Sequence, residues 1–244
     1  MIKRLRQLHR SYYLFILLLL SVLFYPFLYL AASNEKWYGY LNTLRILHSR
    51  LSSLLSGISY NFAYETPLQE NQTYIYCANH TSNLDIMIMC VLAKRNFHFM
   101  GKDELLKHPI LKFFFRSIDI PVNRDSRISA FRAFSKAGHN LKAGMSLIIF
   151  PEGGISDHQY PPRLMEFKNG PFRLAIENNI PIVPVSITNA WKLMWDDGSN
   201  TGSRPGRCDI YIHKPIFTQS LLVGDDALLK DEVFKLIESK LAYK

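Results

Sequence analysis

The chain of 244 residues is 48% apolar and carries 29 Lys+Arg against 20 Asp+Glu, a formal net charge of +9. That length supports one domain of ordinary size with a sizeable core and a modest appendage. The charge points to acidic partners: nucleic acid, anionic lipid or a phosphorylated substrate. Cys77, Cys90 and Cys208 fall in no short motif, which argues against a disulfide framework or a zinc ribbon and fits a reducing compartment.

The N-terminus narrows that choice. "MIKRLRQLHR" holds Lys3, Arg4, Arg6 and Arg10 and no acid, and "SYYLFILLLLSVLFYPFLYLAAS" then runs from Ser11 to Ser33 without a charge. About 20 apolar residues suffice to cross a bilayer as a helix, and Tyr12, Tyr13, Tyr25, Tyr29 and Trp37 suit an interfacial belt near its ends. A cleavable signal peptide fits less well, because the apolar run is long and Tyr29 and Leu30 stand where a small residue is wanted. In "WYGYLNTLRILHSRLSSLLSGI", Leu41, Leu44, Leu47, Leu51, Leu54 and Ile58 repeat at helical spacing, with Arg45, Ser49, Ser52 and Ser56 elsewhere on the wheel. That pattern predicts an amphipathic surface helix rather than a second span. Two topologies follow: a plain span with the body outside, or a first helix that re-enters, helped by Pro26, and leaves both ends cytoplasmic. Residues 1–56 are therefore expected to anchor the chain to a membrane, and residues 57–244 to form an α/β domain.

From Gly57 onward, strand-like and helical runs alternate. "ISYNFAYE", "TYIYCA", "NFHFMG", "IDIPV", "SLIIF", "IPIVPVSI" and "CDIYIHK" are predicted strands. "NLDIMIMCVLAK", "DELLKHPILKFFFRS", "SRISAFRAFSKAGHNLKAG", "GPFRLAIENN" and "DDALLKDEVFKLIESKLAYK" are predicted helices. Such alternation implies an α/β fold with a largely parallel sheet flanked by helices. Asn79 and His80 fall just past one predicted strand, Asn123 and Arg124 past another, and Glu152, Gly153 and Gly154 past a third. In open α/β sheets the ligand crevice lies outside the carboxyl ends of the strands.

In "NHTSNLD", His80 precedes Asp85 by the reach of a loop and one helical turn. A histidine can take a proton from a hydroxyl near neutral pH, and a carboxylate bonded to one ring nitrogen fixes the required tautomer. The same residues also spell a capping box, with Ser82 as N-cap and Asp85 closing it. His98, His108 and His139 show no regular metal-ligand spacing with His80. No G-x-S-x-G elbow occurs, so the pair would have to activate a hydroxyl of the substrate and transfer a group directly. In "FPEGGIS" the glycines allow close backbone approach to an anion or hydroxyl, and Glu152 could orient a polyol or simply cap a tight turn. Arg124 in "PVNRD" offers a phosphate fork, and Lys168 in "FKNGPFRLA" stands at a helix N-terminus, though each could equally be a solvated charge.

Together these stretches resemble the lysophospholipid and glycerol-phosphate acyltransferase family, bacterial 1-acylglycerol-3-phosphate acyltransferases in particular. "NHTSNLD" is similar to its N-H-x4-D motif, "GKDELLKHPILKFFFRSIDIPVNRD" to its second block and "FPEGGIS" to its F-P-E-G-T block. "FKNGPFRLAIENNIPIVPVSI" resembles the stretch that ends in its fourth motif, so the likeness runs from about Leu41 to Ile187. The resemblance implies a glycerol-phosphate acyltransferase-like fold and acyl transfer from a thioester donor to the free hydroxyl of 1-acylglycerol-3-phosphate, giving phosphatidic acid. It implies His80 as general base and Asp85 as its orienting acid, with Arg124, Glu152, Gly153, Gly154 and Lys168 on the acceptor side. Pro184 would be structural or line the acyl pocket. No metal or cofactor is implied beyond acyl-CoA or acyl carrier protein as co-substrate. The expected partners are a membrane lipid acceptor, that donor and the membrane surface, not nucleic acid, with the catalytic domain on the cytoplasmic side of the cell membrane. Gly154 departs from the family's usual threonine, and "IS" replaces the familiar R-S. Acceptor choice therefore stays open to another lysolipid, with a non-catalytic membrane-anchored lipid-binding protein as the rival from a different class.

Overall fold

The computed structural model describes residues 2–94, 96–108, 110–123, 125–155, 161–195 and 202–241. The chain begins with α1 (Ile2–Ala32) and α2 (Tyr38–Leu55), then β1 (Ile58–Tyr64), β2 (Ile75–Ala78), α3 (Leu84–Ala93) and β3 (Phe97–Lys102). It continues through α4 (Leu111–Phe115), β4 (Ile120–Val122), α5 (Arg127–Lys142), β5 (Ser146–Ile149), α6 (Gly170–Asn178) and β6 (Ile182–Ile187). The short α7 (Ala190–Leu193), β7 (Gly206–Ile212) and α8 (Asp226–Lys240) complete it.

The strands form one sheet in the order β1-β7-β6-β2-β5-β3-β4, parallel throughout except where β7 meets β6. The central strands β2, β5 and β6 are buried along their whole length, as expected of parallel strands covered on both faces. Alternation divides their side chains between two cores. Tyr76, Ala78, Phe97, Phe99, Val183 and Val185 pack on the α3 side. Ile75, Cys77, Met100, Leu147, Ile149 and Ile182 pack against α5, α6 and α8.

The largely parallel α/β expectation holds, with local corrections. The single predicted helix over 103–117 is two pieces, a 3-10 turn at Asp103–Lys107 and then α4. The break falls at His108, whose Nδ1 accepts the N–H groups of Ile110 and Leu111 and so starts the second piece. β7 begins at Gly206, upstream of the predicted strand, because its register runs the full length of β1. α1 passes through Pro26 as one continuous helix and takes in the basic N-terminal residues.

α2 is amphipathic with an unexpected orientation. Its buried residues are Leu41, Asn42, Arg45, Ser49, Ser52 and Ser53, while Leu47, Leu54 and Leu55 are exposed. The small and polar face packs inward because each long polar group there finds a partner. Asn42 Nδ2 donates to the Phe97 carbonyl (2.9 Å), and the Arg45 guanidinium forms two bonds to the Asp119 carboxylate (2.9 and 3.2 Å) beneath three aromatic rings. α1 lies along the same side and is fastened at both ends. His9 Nε2 donates to the Ser56 carbonyl (3.0 Å), His9 Nδ1 lies 2.7 Å from Ser203 Oγ, and Leu28 and Ala31 pack with Leu41 and Ile118.

Candidate active site

β2 delivers the chain to the carboxyl edge of the sheet at Asn79 and His80. The Asn79 side chain, fully buried, donates to the Ile187 carbonyl (3.0 Å) and accepts from the Ile187 N–H (2.7 Å). It thereby extends the β2–β6 pairing by one step after the backbone has turned away. The next N–H, that of His80, donates to Glu152 Oε1 at 2.6 Å.

The His80 ring is held from two directions. Its Nδ1 lies 3.0 Å from Asp85 Oδ2, and Phe150 stacks on one face with centroids 3.9 Å apart. Asp85 is fully buried, and the same Oδ2 accepts the N–H groups of Thr81 (2.7 Å) and Ser82 (2.8 Å). A carboxylate can only accept, so Nδ1 carries the proton and Nε2 is left as the basic nitrogen. The His80 side chain is 12% exposed, so the ring is not sealed from solvent. Only half of the expected capping box forms: Asp85 reaches back to the Ser82 N–H (2.8 Å), but Ser82 Oγ accepts the Leu84 N–H (3.1 Å) and the N-cap of α3 is Asn83 rather than Ser82. Asp85 therefore starts α3 and orients His80 at once.

A model of the acyltransferase family matches residues 60–188, more than half of the chain, and spans this His80–Asp85 turn and Glu152. The chain belongs to the acyltransferase family. Among its relatives is the 1-acyl-sn-glycerol-3-phosphate acyltransferase alpha of Mus musculus, 25% identical over 226 residues, covering 89% of this chain and 74% of that protein. The chloroplastic enzyme of the same name from Brassica napus, BAT2, is 28% identical over 192 residues, covering 75% of this chain and 54% of that protein. The chain spans about half the length of most relatives that it matches. The crystal structure of the 1-acyl-sn-glycerophosphate acyltransferase PlsC of Thermotoga maritima superposes with a TM-score of 0.78 at 22% identity, covering 98% of this chain and 95% of that one. That likeness establishes the fold.

Within this family frame, the remaining expected site residues separate into groups. Glu152 and Gly153 lie beside His80, because β5 neighbours β2. Glu152 is 7% exposed, and burial pushes its carboxyl up to about 8 even though the N–H groups of Met165 (2.8 Å) and His80 favour the anion. Gly153 has φ +88°, the left-handed conformation that a tight turn after β5 requires. At Gly154 a β-carbon would come within 3.3 Å of Lys102 Nζ, so the missing side chain admits that ammonium to the loop. Lys168 is exposed, and its N–H donates to the Pro151 carbonyl (2.9 Å), which ties it to the Glu152 turn. Asn123 follows β4, the third strand from β2, roughly 14 Å away at ~4.8 Å per strand. Arg124 lies outside the described residues. Pro184 sits within β6, where its carbonyl accepts the His213 N–H (3.0 Å), and is a sheet residue rather than a cavity wall.

Sequence reasoning missed three features: Phe150 as the ring's stacking partner, the Asn79 clamp, and an apolar cavity of about 610 Å³ between α1, α2, α3 and α4. The cavity wall includes Leu17, Val22, Ile86, Met87 and Phe113 and begins on α3 at Asn83, next to the His80 turn. Only the leucine and aromatic richness of the segments involved signals it in the sequence. The structure also holds a line of Ser186, His213 and Glu65 that mimics a hydrolytic triad, with Ser186 Oγ 2.8 Å from His213 Nε2. Ser186 is fully buried and donates its proton to the Ile237 carbonyl (3.1 Å), so it fastens α8 to the sheet and is no nucleophile.

Proposed function

We propose that the chain moves a fatty acyl group from a thioester donor to the free hydroxyl of 1-acylglycerol-3-phosphate, giving phosphatidic acid for phospholipid biosynthesis. The observation that carries this is the His80–Asp85 pair at 3.0 Å, in a turn just past β2 whose next residues reach the wall of an apolar cavity at Asn83. The acceptor hydroxyl hydrogen-bonds Nε2, and its oxygen attacks the thioester carbonyl as His80 takes the proton. Collapse of the tetrahedral intermediate breaks the carbon–sulfur bond, and the imidazolium returns its proton to the departing thiolate. Asp85 holds the tautomer and stabilises the imidazolium. The donor's acyl chain occupies the cavity, and Lys168 and Arg124 supply positive charge to the acceptor's phosphate, with Gly153 and Gly154 giving the backbone room.

The donor, acyl-CoA or acyl carrier protein, arrives from the cytoplasm, and the acceptor arrives in the cell membrane. α1 is long and apolar enough to cross a bilayer, yet its fastening at both ends to the body favours a helix that lies in one leaflet. Its outward Leu14, Phe15, Leu18 and Leu19 and the outward leucines of α2 then face lipid, and the body stays cytoplasmic. Gly154 and Ile155, where the family usually carries threonine and arginine, favour a second reading in which the acceptor is another lysolipid without a terminal phosphate.

The test is acceptor competition on the protein reconstituted in vesicles. 1-Acylglycerol-3-phosphate, lysophosphatidylethanolamine and a lyso-aminolipid compete for each thioester donor. Phosphatidic acid as the main product is expected. Preferential acylation of another acceptor moves the chain to the second reading, and transfer to none leaves a lipid-binding role.

A further inference from the structure

We propose that Glu152 and Asn79 are positioning residues that lock the His80 turn to the ends of the two flanking strands, and that Glu152 does so in place of contacting the acceptor. β2 lies between β6 and β5. On the β6 side, the Asn79 amide satisfies both backbone groups of Ile187, accepting its N–H and donating to its carbonyl, where a continued parallel strand would use two separate residues. On the β5 side, Glu152 Oε1 takes the His80 N–H at 2.6 Å and Oε2 takes the Met165 N–H at 2.8 Å. Two consecutive residues at the end of β2 are thus tied to neighbours on both sides, each by a buried side chain acting on backbone. With Asp85 on Nδ1 and Phe150 on the ring face, His80 is constrained in backbone position, ring plane and tautomer.

The chemistry of Glu152 argues against acceptor contact. Both carboxylate oxygens are committed to backbone donors in a side chain that is 7% exposed. The second bond, to Met165, fixes the segment that leads to Lys168, so one carboxylate spaces the base from the cationic end of the site. A misplacement of about 1 Å in a reacting group can lower the rate about 100-fold.

This inference rests on His80 being the base, so its test combines turnover with a readout that needs none. For Glu152→Gln and Asn79→Ala, kcat with 1-acylglycerol-3-phosphate is expected to fall by up to about 100-fold with acceptor KM unchanged. In protein labelled with [15N]histidine, the His80 ring N–H bonded to Asp85 is expected to give a sharp resonance that broadens or disappears in both variants. Glu152→Asp, which keeps the charge and shortens the reach, is expected to recover only part of kcat. An unchanged His80 resonance in Glu152→Gln with a raised acceptor KM would overturn the proposal and return Glu152 to the acceptor. If Glu152→Gln fails to fold, Asn79→Ala decides, since an unaltered resonance and kcat there contradict the clamp. Wild-type protein that transfers no acyl group would refute the proposed function, while the resonance would still report whether the clamp exists.

Discussion

Two helical regions of this fold, the α5–α6–α8 layer and α2, bury opposite kinds of side chain. α5, α6 and α8 bury apolar residues such as Ala133, Ala137, Phe172, Ala175, Leu229 and Val233 and present mainly polar ones outward, with Ile128, Phe131 and Leu228 as exceptions. α2 buries asparagine, arginine and serines and turns Leu47, Leu54 and Leu55 out, and α1 beside it exposes Leu14, Phe15, Leu18 and Leu19. A helix gains nothing by burying leucine when lipid solvates the leucine equally well, so the inward face can be chosen for close fit and specific polar bonds. The α5–α6–α8 layer follows the hydrophobic effect, and the α1–α2 side carries the outward apolar surface that the proposed membrane contact uses.

The largest expected effect comes from the polar bond that holds the inverted layer. Arg45 is 6% exposed and depends on Asp119, which also accepts the Phe99 N–H (2.9 Å). Asp119→Ala leaves a buried guanidinium uncompensated and should cost about 3–5 kcal/mol, read as a lowered denaturation midpoint in detergent. Replacing both partners with leucine or methionine should recover much of that loss, and a single variant as stable as wild type would break the comparison.

Next in size is the outer surface. Phe15→Asp with Leu19→Asp should weaken binding to anionic vesicles about tenfold or more, since each buried apolar side chain contributes about 1.5–3 kcal/mol. Phe131→Asp on α5, although Phe131 is 74% exposed, should leave vesicle binding unchanged. Equal effects on the two faces would erase the distinction between the layers.

Near neutral pH the smallest effect concerns the α5-facing side of β3. By alternation from Phe97 and Phe99, His98 faces the α5 layer, and burial pushes it from 6.5 down to about 3. No well-formed hydrogen bond reaches either ring nitrogen, and the nearby Ser146 backbone only tempers the shift. The unfolded chain binds this proton below 6.5 and the folded one does not. Stability from this group is therefore complete above 6.5 and lost progressively as pH falls toward 3. His98→Leu should flatten that slope in denaturation curves between pH 6.5 and 4, and an unchanged slope would exclude His98 as its source.

The strands were legible because short wholly apolar runs (β2, β5, β6) and an alternating one (β7) are both local patterns, and the His80–Asp85 spacing because a loop and one helical turn close the pair within a few residues. The direction in which α2 faces was not, since a helical wheel divides apolar from polar without saying which solvent each side meets. The Asn79 and Glu152 clamps were hidden for a different reason. Their partners, Ile187 and His80, lie 108 and 72 residues away in sequence, and only the strand order brings them together. The place of Glu152 just past a strand was legible, but its commitment to backbone donors was not.

The central claim is that His80 is the base, and the most direct measurement is acyl transfer by His80→Ala in vesicles against wild type, with vesicle binding and denaturation midpoint as controls for folding. His80 lies in a loop, so the variant should fold. Transfer should drop by about 100- to 10,000-fold, the usual contribution of a positioned general base. A folded, membrane-bound variant that still transfers within a few-fold of wild type would contradict the account.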